Sequence, residues 1–211
     1  TSSLRRAIQL IRLRSDLDVR PIRGNVETRI RKTTTGEYDG IILAEAGLIR
    51  LGLENSIVQR FSLREFVPAP GQGSLAVICR TDNYELIELL KKIEDPQSRT
   101  EFEAEHALLE RIEGGCRFPV GAVAVSYEDP TRQTSSLKNI AKLQKIPVSS
   151  CVSLSASIFS ADGTKCIKLT KRGDSSNALE LGRSMGELLI KDGALELAKG
   201  WREAVQKWNK M

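Results

Sequence analysis

The chain has 211 residues, of which 40% are hydrophobic and 28% are charged. That length and composition predict a globular protein with a buried core, built as one large domain or two small ones. The sequence contains no run of about 18 apolar residues, the length needed to cross a bilayer, and its first residues lack the apolar stretch of a signal peptide. We therefore expect a cytoplasmic protein that does not enter a membrane.

The net charge is +5, and its source lies near the start of the chain. Residues 1–32 hold nine basic and three acidic groups, a local charge of +6, so the rest of the chain is close to neutral. Most of these basic groups are arginines, whose planar guanidinium pairs with carboxylate or phosphate through two hydrogen bonds. On charge alone, a solvated basic face is an equally good interpretation. The same stretch has no aromatic side chain, which argues against binding of single-stranded nucleic acid, and no nucleic-acid partner is expected.

The cysteines show none of the CxxC or Cys/His spacings that are typical of a zinc site. They are Cys79, Cys116, Cys151 and Cys166. We expect reduced thiols and no bound metal.

The first part of the chain predicts alternating helices and strands. Apolar residues at helical spacing predict a helix over 4–15, preceded by hydroxyl side chains that can cap it. A strand is expected at 18–22, then a helix capped by Asn25. A buried strand at 38–44 precedes another helix at 46–54. Such alternation is typical of a sheet covered by helices, with ligands bound where helices begin.

The segment FVPAPGQG at 66–73 combines two prolines with two glycines, which favours a crossing between domains over the interior of a helix or strand. A strand at 73–80 and a helix at about 84–93 follow it. Ser98 and Glu101 then form a capping box, which predicts the start of a longer helix.

The rest of the chain predicts an α+β arrangement. Three strands are expected at 120–127, 151–160 and 165–172, the last two antiparallel around a turn at 161–164. Two helices are expected near 178–191 and 194–208. Residues 128–150 are polar and aperiodic, which indicates a long loop.

Four arginines lie at or just before the N-termini of the first two predicted helices, namely Arg5, Arg6, Arg23 and Arg29. The helix macrodipole is positive there and disfavours a cation by about 0.3 to 1 kcal/mol. Stability therefore does not explain these arginines, whereas the free N–H groups of a helix N-terminus bind anions. An anion site is favoured over a plain basic patch, and replacing these arginines is expected to change stability little.

Five segments resemble the porphobilinogen deaminases, also called hydroxymethylbilane synthases, in sequence, order and spacing. They are TSSLRR at 1–6, RGNVETRI at 23–30, YDGIILAEAGLIRLG at 38–52, PAPGQGSLAVICR at 68–80 and IEGGCRFPVGA at 112–122. The resemblance covers most of the first 123 residues and is weaker over the helical tail. The loop at 128–150 has no counterpart and looks like an insertion.

The resemblance implies an α/β fold of three domains. Two lobes similar to type II periplasmic binding proteins would enclose the active site, and a small α+β C-terminal domain with an antiparallel sheet would carry the cofactor cysteine. Residues 1–67 would form the second lobe, with its N-terminal part missing. Residues 68–95 would be the hinge and a segment returning to the first lobe, and 96–211 the C-terminal domain with its insertion near 128–150.

The resemblance also implies a transferase of tetrapyrrole (heme) biosynthesis, a monomer when complete. Such an enzyme condenses four porphobilinogen molecules into hydroxymethylbilane, with release of ammonia, on a dipyrromethane cofactor joined to a cysteine. Cys116 in the GGC motif matches that cysteine. Without the resemblance, an isolated cysteine is more often a small buried apolar residue.

Each pyrrole carries an acetate and a propionate, so carboxylate ligands are implied as well. The matching cofactor-binding positions are Ser3, Arg5, Arg6, Arg23 and Arg29, and the matching substrate-binding positions are Arg29, Arg50 and Gln72. The family's catalytic aspartate belongs to a portion that precedes these motifs, so no catalytic residue is assigned here. The fragment alone is expected to be inactive and to need that N-terminal segment as its partner.

A binding module is the alternative. An organic-anion receptor of the periplasmic type, or the effector domain of a regulator, would also place arginines at helix ends. The GGC motif distinguishes the two classes, because it serves no purpose in such a module.

Overall fold

A computed structural model of the protein describes residues 1–112, 118–128 and 151–211. The architecture is mixed α/β, with a three-stranded antiparallel sheet in the order β1–β2–β3. The helices are α1 (Leu4–Leu13), α2 (Val26–Thr34), α3 (Glu45–Arg50), α4 (Tyr84–Lys91), α5 (Pro96–Arg111), α6 (Ala178–Lys191), α7 (Ala194–Leu197) and α8 (Trp201–Lys210). The strands are β1 (Val120–Tyr127), β2 (Cys151–Phe159) and β3 (Cys166–Asp174).

The turn between β2 and β3 is closed by Asp162. Its Oδ1 accepts hydrogen bonds from Ser160 Oγ at 2.6 Å and from the backbone N–H and hydroxyl of Thr164 at 3.0 and 2.9 Å. These bonds, that from Ser160 first, lower the pKa of Asp162 to about 2 because they favour the ionised carboxylate. The antiparallel hairpin and the turn predicted from the sequence are confirmed.

The main core lies where α5 and α6 pack against each other and against the sheet. Gly182 makes the close approach of the two helices possible, because a Cβ placed there would lie 2.2 Å from the carbonyl oxygen of Ala104. The largest side chains of this core that are fully buried are Leu108, Ile112, Leu154, Ile158, Met185 and Leu189. The predicted α+β arrangement of the C-terminal part is therefore confirmed.

The segment after Val67 crosses from the first part of the chain to the sheet. The Pro68 carbonyl accepts a hydrogen bond from the N–H of Ala122 on β1 at 3.0 Å. The buried carboxylate of Glu105 on α5 joins the same two regions, accepting from Gly71 N at 2.6 Å and from Ala124 N at 2.7 Å. The crossing segment is thus fastened to α5 and to β1.

Helix α1 is held against the C-terminal part of the chain. Ile8 forms a small apolar cluster with Phe159 at the end of β2 and Trp201 at the start of α8. Arg12 donates to the carbonyls of Gly163 and Thr164, at 2.8 and 3.1 Å, in the β2–β3 turn. Helix α1 is therefore placed by contacts of its middle and last turn with the hairpin and with α8.

The three strands predicted at 18–22, 38–44 and 73–80 do not form. In the described part of the chain no strand lies beside them, and an isolated segment cannot satisfy its backbone N–H and C=O groups through a ladder. Side chains take some of these groups instead: the Ile42 carbonyl accepts from Arg6 at 3.5 Å, and the Pro21 carbonyl accepts from Tyr38 Oη at 2.9 Å.

Two helix boundaries also differ from the predictions. Asp95, and not Ser98, caps α5, because Pro96 fits the first helical position and the Asp95 carboxylate accepts from Ser98 N at 2.7 Å. The helix predicted at 194–208 is two helices: α7 ends at Leu197, and α8 begins at Trp201 after Gly200, whose left-handed φ of 73° interrupts the helical path. This turn redirects α8 towards α1.

Candidate functional site

The first turn of α1 carries Arg5 and Arg6. Ser3 caps the helix, since its Oγ accepts a hydrogen bond from Arg6 N at 3.4 Å. The two arginines point to different surroundings, because consecutive helical residues lie about 100° apart. Arg5 is on the buried face of α1 together with Gln9, and Arg6 is half-buried.

Arg5 fixes the crossing segment. Only 7% of its surface is exposed, and its Nη1 donates to the carbonyl of Val67. The amide of Gln9, one turn further along α1, accepts from Val67 N at 2.8 Å and donates to Val67 O at 3.1 Å. Burial, followed by the neighbouring charge of Arg6, lowers the pKa of Arg5 to about 10. Because Arg5 is buried, its replacement is now expected to destabilise the protein, in contrast to the small effect expected from its place at the helix end alone.

Arg6 and Arg29 bring positive charge from both helix N-termini into one region. Burial lowers the pKa of Arg6, and the charge of Arg29 lowers it further. Asn25 caps α2 by accepting from Thr28 N at 2.8 Å, which places Arg29 in the first turns of that helix. Two positive helix ends and two cations therefore face the same region, which favours an anion there.

Arg29 is held in place by two neutral oxygen atoms. Its Nε donates to the carbonyl of Gly24 at 2.7 Å and its Nη1 donates to Ser2 Oγ at 3.2 Å. Arg23, just before α2, donates from Nη2 to the carbonyl of Asn209 near the end of α8. A pocket of about 300 Å³ opens between them, and its lining residues are Ser2, Pro21, Ile22, Arg23, Gly24, Arg29 and Asn209.

The site arginines, Arg5, Arg6, Arg23 and Arg29, differ in one respect from most of the other arginines in the described residues. Among residues 1–112, 118–128 and 151–211, each donates to backbone carbonyls or to a hydroxyl and none pairs with a carboxylate. Elsewhere in the described residues, carboxylates pair with Arg14, Arg20, Arg60, Arg80, Arg99 and Arg111. The positive charges of Arg6, Arg23 and Arg29, which are not fully buried, are therefore available to an external anion.

The remaining predicted site residues lie apart from the pocket or outside the described residues. Arg50 is exposed at the end of α3 and is not among the pocket-lining residues. Gln72 is exposed, and its Oε1 accepts from Ala69 N at 3.2 Å within its own turn. Ser3 caps α1. Cys116 lies outside the described residues.

Sequence reasoning missed four residues that build this region, namely Ser2, Gln9, Glu105 and Asn209. Gln9 had a detectable signal, because it lies four residues after Arg5 on an otherwise apolar helix face. Glu105 likewise lies among buried apolar positions of α5. Asn209 acts through its backbone carbonyl, which no sequence pattern reveals.

No helix in the described residues is long and apolar enough to cross a membrane. Across the same ranges, no group of three or more His, Cys, Asp or Glu side chains is arranged to hold a metal ion.

Comparison with known proteins matches most of the chain to one family. Residues 1–88 match the family model described as porphobilinogen deaminase, dipyromethane cofactor binding domain, and residues 99–191 match the model described as porphobilinogen deaminase, C-terminal domain.

Relatives from three organisms show the same likeness. A probable porphobilinogen deaminase of Nitrosopumilus maritimus is 45% identical over 210 residues, covering 100% of this chain and 60% of the relative. The porphobilinogen deaminase of Syntrophobacter fumaroxidans is 37% identical over 194 residues, covering 92% and 56%, and that of Mycobacterium tuberculosis is 37% identical over 202 residues, covering 96% and 62%. The chain thus spans about 60% of the length of these relatives. The chain belongs to the porphobilinogen deaminase family.

Proposed function

We propose that this chain is part of a transferase that condenses four porphobilinogen molecules into hydroxymethylbilane with release of ammonia, a step of tetrapyrrole (heme) biosynthesis in the cytoplasm. The observation that carries the proposal is the pair Arg23 and Arg29 at the N-terminus of α2, which are held by neutral oxygen atoms and line a pocket of about 300 Å³. Family membership supplies the identity of the anion.

Carboxylates are the chemical link between the pocket and the proposed substrate. Each porphobilinogen has an acetate and a propionate, so a chain of pyrroles gains two negative charges with every addition. Arg23 and Arg29 line the pocket, and Arg6 adds its charge beside Arg29. Guanidinium groups that are already fixed in position bind carboxylates at a smaller entropic penalty than mobile ones.

The described residues fit a dipyrromethane group, because its four carboxylates need the uncompensated cations that this region supplies. When bound, the group supplies the primer pyrrole to which new units are added. We propose that Cys116 holds it through a thioether. We also propose that Ser3, Arg5, Arg6, Arg23 and Arg29 form its binding region, and that Arg29, Arg50 and Gln72 contribute to substrate binding.

Within this division of roles, Arg5 acts from the interior. Its guanidinium reaches the Val67 carbonyl and fixes the segment that leads to Gln72. Arg6 and Arg29 orient carboxylates at the helix ends. None of the described residues that line the pocket is acidic, so this chain supplies no carboxylate there to move a proton. We propose that the catalytic aspartate lies in the part of the enzyme that this chain does not match.

We further propose that the complete enzyme has two lobes of the type II periplasmic-binding-protein class and that this chain forms part of both. Residues 1–67 would belong to the second lobe, 68–95 to the hinge and the first lobe, and 96–211 to the C-terminal domain. Glu105, which joins Gly71 to β1, supports a fixed connection at that hinge. The completed enzyme would act as a monomer.

The experiment supplies the unmatched part of the Nitrosopumilus relative as a second chain. The two chains are mixed with porphobilinogen, the product is oxidised, and uroporphyrin is measured by its absorbance. We expect turnover from the mixture and none from either chain alone. The intact mass of this chain should increase by two pyrrole units, and peptide mapping should place them on Cys116.

Matched controls are Cys116→Ser and Cys79→Ser. The first should abolish both the mass increase and turnover, and the second should retain both. Turnover by this chain alone would show that the active site is misplaced. An adduct on another cysteine, with Cys116 unmodified, would refute the cofactor assignment.

A further inference from the structure

Helix α8 reaches the anion pocket although it lies outside both family matches. The second match ends at residue 191, and α8 spans Trp201–Lys210. The helix is nevertheless packed against the rest of the protein, since Trp201 is buried in a cluster with Ile8 and Phe159, and Trp208 is also buried. It is therefore part of the folded structure and not a loose extension.

The turn at Gly200 gives α8 its direction. With φ at 73°, Gly200 adopts a left-handed conformation that side-chain-bearing residues rarely take, and Trp201 N donates to the carbonyl of Ala198 at 3.2 Å. The chain consequently leaves α7, and Trp201 packs beside α1. One end of α8 is anchored by this contact.

The other end of α8 contacts an arginine of the pocket. The last carbonyls of a helix have no partner within the helix and carry the negative end of its dipole, so a guanidinium is a suitable donor to them. Asn209 offers such a carbonyl, and Arg23 Nη2 donates to it. Asn209 also lines the pocket beside Arg23. The carbonyl is uncharged, so it holds the exposed Arg23 side chain without neutralising its charge. A carboxylate partner would neutralise that charge.

We propose that α8 is the positioning element of the anion pocket: anchored on α1 by Trp201, it holds Arg23 in the orientation that receives a pyrrole carboxylate. The ligand in this proposal rests on the proposed function. The positioning role concerns the free protein and does not depend on that ligand. The competing interpretation is that Arg23 only caps α8 and takes no part in binding.

Two perturbations separate α8 from the pocket. Trp201→Ala removes the aromatic side chain that anchors α8 on α1. Trp201→Phe is the conservative variant, which should keep that anchor. A chain that ends at Gly200 removes α8 entirely and places the new terminal carboxylate at the opposite end of the lost helix, about 15 Å from the position of Asn209. Glu203→Ala, an exposed change on the same helix, is the matched control. Urea unfolding identifies any variant that has lost its fold.

The first measurement needs no ligand. The Nε–Hε resonance of Arg23, assigned by its absence in Arg23→Leu, should report a restricted side chain in the parent chain, in Trp201→Phe and in Glu203→Ala. It should report a mobile side chain in Trp201→Ala and in the shortened chain. Equal mobility of Arg23 in the parent and in both perturbed chains would overturn the proposal.

The second measurement is a calorimetric titration with porphobilinogen. Loss of one charge-assisted contact in the free pocket should weaken binding roughly three- to tenfold in Trp201→Ala and in the shortened chain. In an Arg23→Leu background, the same changes should weaken binding no further. If they weaken it equally in both backgrounds, α8 does not act through Arg23, and the proposal is wrong. If the parent does not bind porphobilinogen, either alone or mixed with the complementary second chain, while Arg23 is ordered by α8, the proposed function fails and the positioning role stands.

Discussion

Gln9 satisfies both backbone groups of Val67, accepting from its N–H at 2.8 Å and donating to its carbonyl at 3.1 Å. The two residues are 58 positions apart and both are buried. Arg5 donates to the same carbonyl. The helix that carries the first site arginines is therefore joined directly to the segment that crosses to the sheet.

Replacing Gln9 by Ala should lower the free energy of unfolding by about 1 to 3 kcal/mol, because a buried N–H is left without an acceptor. Urea unfolding followed by circular dichroism measures the change. Gln97→Ala is the matched control, since Gln97 is an exposed helical glutamine whose Nε2 donates to Glu101 on the same helix at 3.1 Å. An equal, small loss in both variants would show that the Val67 contact does not stabilise the protein.

Sequence patterns over a few residues predicted many of the local features around the candidate site. The features that they did not predict depend on contacts between residues far apart in the chain. The caps at Ser3 and Asn25 and the hairpin around Asp162 depend on residues a few positions apart, which sequence patterns report well. The strand expected at 73–80 has the right composition, but a strand exists only beside a partner. The contact from Arg23 to Asn209 joins residues 186 positions apart through a backbone atom, so composition contains no trace of it.

The site arginines should differ in what they contribute to stability. Arg23→Leu and Arg29→Leu should each change the free energy of unfolding by less than about 0.5 kcal/mol, because both side chains are at least partly exposed. Arg5→Leu should destabilise by more, because Arg5 is buried against Val67. Urea unfolding tests this order.

Calorimetry with porphobilinogen completes this comparison. Binding should weaken at least about tenfold in Arg23→Leu and Arg29→Leu, since each removes a charged partner of a carboxylate. Arg80→Leu is the control, because Arg80 is exposed and already paired with Asp82 at 2.6 Å. Unchanged affinity in both pocket variants would refute the carboxylate site.

Glu105 should make stability depend on pH. Burial raises its pKa, although hydrogen bonds from Gly71 and Ala124 oppose the shift. The folded state then holds the proton more tightly than the unfolded state, so this contribution to stability is complete below the unfolded pKa and is lost as the pH rises through the folded pKa. Unfolding free energies from about pH 4 to about pH 8 should decline more in the parent than in Glu105→Gln. The exposed Glu180→Gln should follow the parent, and a parent curve parallel to that of Glu105→Gln would contradict the cause assigned here.

The segment after the Gly71–Gly73 turn should become ordered when the complementary chain is added. Its apolar side chains face solvent, with Leu75 90% and Ile78 94% exposed, and among the described residues no strand pairs with it. Exposed edges with apolar side chains readily pair with another strand, which would bury these groups and protect their amides. Hydrogen exchange of the backbone amides of residues 74–79 should therefore be fast in this chain alone. In the mixture it should be at least about tenfold slower, the protection expected of a hydrogen-bonded strand of modest stability.

Variants of this segment separate pairing from general association. Leu75→Lys combined with Val77→Lys should prevent both the protection and the turnover of the mixture, because the two side chains lie on one face of a strand and would bring charge into the new interface. Leu195→Lys, at a half-exposed leucine on α7, should change neither. Exchange at 74–79 that stays fast in an active mixture would show that this segment does not pair with the complementary chain, and the assignment of 68–95 to the hinge and first lobe would have to be abandoned.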